Sequence, residues 1–119
     1  MTLLVHTFVH DEQGEWHLLD GPEDGSDMAG TEVCRTTLWG SDAARALGAR
    51  FLPELATGDL YVEPEDIDDF LAECELLHRH TAALAAHSGY REDYVVARLS
   101  HITAAALRAR AVGGGVLVW

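Results

Sequence analysis

The sequence predicts an α+β fold: a small, mostly antiparallel sheet made of an N-terminal hairpin, a central short strand and a C-terminal strand, covered by an antiparallel helical hairpin. Three observations carry this expectation. Apolar and β-branched runs stand near both ends of the chain, a turn cluster folds the first run back on itself, and two long stretches space their apolar residues by three and four. With 119 residues, 48% of them hydrophobic, residues 1–119 suffice for one core and read as a single domain.

Residues 2–9 are rich in β-branched and apolar side chains, Asp11-Glu12-Gln13-Gly14 supplies turn chemistry, and residues 15–19 resume a short strand, which together make a β-hairpin. Gly, Pro, Ser and Asp concentrate in residues 20–30, predicting a surface loop with little structure of its own. Residues 33–39 (VCRTTLW) carry strand formers and read as a strand ending at Gly40. Ser41 then caps a short helix over residues 42–47, closed by Gly48, with Asp42 suiting the positive end of the helix dipole. Residues 59–63 (DLYVE) form the central short strand.

The clearest helical signal begins near Pro64, because proline suits a first helical position and Glu65, Asp66, Asp68 and Asp69 crowd the opening turns. Ile67, Phe70, Leu71, Cys74, Leu77, Thr81 and Leu84 then form one apolar stripe, so a single helix is expected to run until Gly89. A second helix, from about Arg91 to Ala111, buries Val95, Leu99, Ile102 and Ala106, with Glu92 and Asp93 at its start and Arg108 and Arg110 at its end. The short connection around Gly89 makes the two antiparallel. Gly113-Gly114-Gly115 ends the second helix, and Val116-Leu117-Val118-Trp119, apolar on both alternating faces, belongs inside a sheet. Trp16, Trp39 and Trp119 are expected in the core, where tryptophan is mostly buried.

Charge is the feature that points outward. Between Arg50 and Arg79 lie nine carboxylates (Glu54, Asp59, Glu63, Glu65, Asp66, Asp68, Asp69, Glu73, Glu75) and no lysine or arginine, in a chain of net charge -12. Such a field attracts basic proteins and repels nucleic acid. All the bases are arginine, and Arg91, Arg98, Arg108 and Arg110 sit on the second helix, where pairing with the neighbouring acidic helix is expected. No run approaches the length of about eighteen apolar residues that a membrane span needs. The opening residues lack the basic flank and apolar run of a secretory signal, and Cys34 and Cys74 read as free thiols in a reducing cytosol.

Chemistry-bearing patterns are weak. On the first long helix, Glu65, Asp69, Glu73, His80 and His87 share one stripe, but two turns separate Glu73 from His80, so the stripe reads as a solvated acidic face rather than a metal site. Glu75 and His78 form a single Glu-x-x-His, whereas a di-iron bundle needs two, and Cys74 beside it reads as a small buried hydrophobe. His6 and His10 point to one face of their strand, with His17 on the neighbouring strand, a set that suits a transition ion or a plain row of polar pairs. None of Ser41, Ser88, Ser100, Cys34 or Cys74 sits in a nucleophile elbow, and the glycine triplet leads into a strand rather than a phosphate-binding helix. No catalytic residue, metal or cofactor is therefore expected.

The runs RTTLWGS (residues 35–41), LGARFLP (47–53) and GDLYVE (58–63) resemble a small uncharacterised family of acidic bacterial proteins from GC-rich genomes, over about half the chain. In size, acidity and α+β build the chain is also similar to toxin-immunity proteins, a likeness of charge and scale rather than of motif. The sequence thus reads as an acidic cytosolic binding protein more than as an enzyme: an immunity- or antitoxin-like inhibitor. It would present Glu65, Asp66, Asp69, Glu73 and His80 to a basic partner, possibilities for nucleic acid and membrane being set aside. The alternatives are a metal-binding protein or metal-dependent enzyme using His6, His10 and His17 or Cys74 and His78, and a homodimer joined through the apolar C-terminal strand.

Overall fold

The computed structural model describes residues 1–19, 21 and 26–119. It places a five-stranded antiparallel sheet, β1 (Thr2–His10), β2 (Trp16–Leu18), β3 (Met28–Thr31), β4 (Leu60–Val62) and β5 (Gly115–Val118), beneath a helical layer. That layer comprises α1 (Asp42–Leu47), α2 (Ile67–His78), α3 (Thr81–Ser88) and α4 (Glu92–Val112). The expected α+β build holds. Its strands run in the order β2-β1-β5-β4, and β3 pairs with the opening residues of β1 while β2 pairs with the closing ones.

Alternation along β1 separates two surfaces. Leu3 and Val5 join the main core, and Thr7 beside them donates its hydroxyl to the Ala105 carbonyl of α4 at 2.7 Å. Phe8, on the other parity, is buried yet stands outside that core, so it lies on the outer face of the sheet. The last strand is buried along its whole length, because β1 takes one hydrogen-bonding edge and β4 the other. Neither edge of β5 is left to pair with a second copy, which closes the expected C-terminal route to a homodimer.

Helix α4 lies across β1, β3 and β5, and both α2 and α3 pack against it. Its acids and its closing Gly113, at φ 69°, stand where a helix favours them. The single helix expected from Pro64 to Gly89 is instead two. The Arg79 amide is shared between the Glu75 and Leu76 carbonyls, the His80 amide turns to the Leu77 carbonyl three residues back, and α3 then packs on α1 and on the turn before it. The apolar spacing continues across this break, so periodicity alone does not reveal it.

Two further expectations are corrected. Residues 33–39 coil instead of extending: Val33 lies in a turn, residue 34 is helical, and a π-helical turn covers Arg35–Trp39. Thr36 and Thr37 donate their hydroxyls to the Val33 carbonyl, Trp39 sends its indole N–H to the Ala29 carbonyl at 2.8 Å, and burial of Cys34, Leu38 and Trp39 decides the conformation against β-propensity. The expected loop 20–30 contains most of β3, while residues 20 and 22–25 lie outside the described residues. Of the tryptophans only Trp39 is a core anchor; Trp16 and Trp119 stand half-exposed. The cap of α1 is as expected, Ser41 Oγ accepting from the Ala44 amide at 3.1 Å.

Gly115 faces Phe8 in the β1–β5 register, and a Cβ there would stand 2.2 Å from the Val62 carbonyl oxygen and 2.4 Å from the Phe8 ring. The Phe8 ring occupies the space that a side chain at residue 115 would need. Gly115→Ala is expected to lower stability by about 2 kcal/mol or more through overpacking. Chemical denaturation measures it, and a midpoint equal to wild type contradicts the packing described.

Candidate functional site

The acidic block begins in a short 3-10 turn, Pro64–Asp66, that feeds directly into α2. Glu65, Asp68 and Asp69 are exposed and Asp66 half-buried, all within the opening turns where the helix dipole favours negative charge. Compensation by the chain's own bases is partial. Asp59 binds Arg35 at 2.7 Å, Glu75 meets Arg79 at 3.5 Å, Asp68 stands 4.0 Å from Arg110, and Glu63 lies 3.6 Å from His10. Among the described residues Glu54, Glu65, Asp66 and Asp69 make no ion pair. Among the described residues, the arginine of α4 that pairs with the acidic helix is Arg110; Arg91, capping α4, pairs with Asp93, and Arg98 lies over the Tyr94 ring.

Glu73 does not belong to this surface. It is 6% exposed, and its carboxylate accepts the backbone N–H groups of Arg50, Phe51 and Leu52, the last two at 2.9 Å. It thereby caps the 3-10 turn Leu52–Ala56 from a different element, a role invisible to helical spacing because its partners lie more than twenty residues away. His80 is exposed, but it occupies the break before α3 and so leaves the stripe on which Glu65 and Asp69 stand.

The histidines do not converge. His6 accepts the Trp119 indole N–H on Nδ1 at 2.9 Å, leaving Nε2 toward Asp27 at 3.6 Å. His10 stands on the outer face toward Glu63, whereas His17 pairs in register with Val9 and therefore takes the opposite face. His17 Nε2 lies 2.8 Å from Asp11, whose pKa that hydrogen bond lowers. With Glu15 these residues bring donor atoms within 4.8 Å of one another, the one such group among the described residues, at the open tip of the hairpin.

Cys74 and His78 meet elsewhere, around Thr103 of α4. Thr103 donates to the Leu99 carbonyl at 2.8 Å, so it accepts from His78 Nε2 at 3.1 Å. Burial pushes the Cys74 thiol up to about 12, so it is held as a protonated thiol at neutral pH. His78 and Glu75 do line a cleft of about 290 Å³ between α2 and α4, with Leu71, Leu107 and Arg110.

Sequence patterns missed the cluster on the outer sheet face. Trp16 meets Phe8 at 5.9 Å between ring centroids and Tyr61 at 6.3 Å, and Phe8 meets His10 at 5.5 Å, all edge-to-face. The signal was present as apolar and aromatic residues on both parities of the first strand, which a one-faced sheet does not require. No family model, curated protein or solved structure matches the chain.

Glu73→Ala leaves those backbone amides without their acceptor and is expected to cost about 3 kcal/mol, read from the urea midpoint; an unshifted midpoint overturns the capping role. Burial holds His78 below its ordinary value of 6.5, so the folded state binds fewer protons than the unfolded chain. That stabilisation is complete above 6.5 and is lost as pH falls toward the folded value. Between about pH 7.5 and about pH 5.5, wild type should lose more melting temperature than His78→Gln, and equal losses contradict the assignment.

Proposed function

We propose that this chain is a cytoplasmic binding protein, an immunity- or antitoxin-like inhibitor, that presents the carboxylates at the start of α2 to a basic partner. The observation that supports it is the absence of an ion pair at Glu65, Asp66 and Asp69, among the described residues, in a chain of net charge -12. Carboxylates held on a folded helix start, rather than on a floating tail, lose little freedom on binding. They attract a cationic surface from a distance and can occupy a cleft made for phosphate.

Within this reading Glu73 supports the surface from beneath and His80 stands apart from it. No helix among the described residues is long and apolar enough to cross a membrane. Association should be fast and should slow steeply as salt rises from about 50 to about 300 mM, since such charges are screened beyond a Debye length. Combined Glu65→Gln, Asp66→Asn and Asp69→Asn changes should slow association about tenfold while leaving dissociation nearly unchanged. An acidic partner, or an association rate indifferent to salt, overturns the proposal.

A further inference from the structure

Trp16 and Tyr61 come from strands at opposite ends of the sheet order, β2 and β4, yet their rings meet. They can do so because Gly115 leaves the intervening strand without a side chain and Phe8 fills that space as a floor. Phe8 is 2% exposed beneath them, while Trp16 and Tyr61 keep 46% and 53% of their surfaces in water. Their planes stand at 79° in an edge-to-face pair, and the corner where they meet is a notch bordered by two rings that each keep much of their surface in water. Glu63, two residues beyond Tyr61, lies 3.6 Å from His10, and His10 is the residue paired with Trp16 across the β1–β2 ladder.

We infer that this notch seats the guanidinium group of an arginine carried by the basic partner, an inference that rests on the proposed function. Ring faces carry negative quadrupole charge and attract cations, and a neighbouring carboxylate adds to that field. Arginine suits the notch better than lysine because its flat, weakly hydrated guanidinium stacks on one ring while its N–H groups remain free for Glu63. A second copy is the poorer occupant, since it would bring another net charge of -12 to the same face.

The test uses the whole chain and fluorescein-labelled nona-arginine and nona-lysine peptides, followed by anisotropy at low salt. Trp16→Leu and Tyr61→Leu keep an apolar cover over Phe8 but remove the ring face, and circular dichroism confirms folding. The arginine peptide is expected to bind wild type more tightly than the lysine peptide, and each leucine variant to weaken it about fivefold. Glu63→Gln should weaken it in the same direction. If the leucine variants bind both peptides as wild type does, while Glu65→Gln with Asp69→Asn weakens both, the arginine seat is overturned and the acidic-surface reading survives. If neither peptide binds wild type, both fall. Should wild type sediment as a dimer that the leucine variants dissociate, the occupant is a second copy and the arginine assignment is overturned.

Discussion

Insertion of Gly115–Val118 between β1 and β4 is the constraint on which the rest of the structure depends. It joins residues from near both ends of the chain and from its middle, so the β1–β5–β4 part of the sheet requires α4 to bring the last strand back beside the first. Val116 and Val118 face the helical layer and Leu117 the outer face, which commits both surfaces of the strand to burial. The glycine that opens it decides where Phe8 lies, and hence where Trp16 and Tyr61 can meet.

The chain's excess of acid is handled in two ways. Some carboxylates hold the fold together: Glu73 collects backbone amides, and Arg35 ties Glu32 and Asp59 together while also donating to the Gly58 carbonyl at 2.6 Å. A solvated surface pair contributes little to stability, but an arginine joining several groups across separate segments fixes their relative position. Others, at the start of α2, are left to solvent and to the dipole of their own helix. The division places repulsive charge where a partner could relieve it.

The aromatic notch and the acidic helix start both follow from β4, whose residues alternate between the two layers. Leu60 and Val62 face the core, Tyr61 faces outward, and the chain passes through Glu63 straight into the acidic turn. A short strand between irregular segments thus delivers an aromatic wall and a run of carboxylates within a few residues of one another. That proximity is a property of connectivity.

Local chemistry written in neighbouring residues determined much of this protein: the hairpin turn at Asp11 to Gly14, the serine cap of α1, the amphipathic stripes of α2 and α4, and the membership of the last strand in a sheet. It also determined the acidic excess, which needs no fold to be counted. Tertiary structure alone decided that residues 33–39 coil rather than extend, because burying Leu38 and Trp39 outweighs the preference of threonine for strands. It decided that the helix breaks at His80, that His17 turns away from His6 and His10, and that Glu73 points inward. Each of these depends on partners far along the chain, and spacing within one segment carries no information about what that segment will meet.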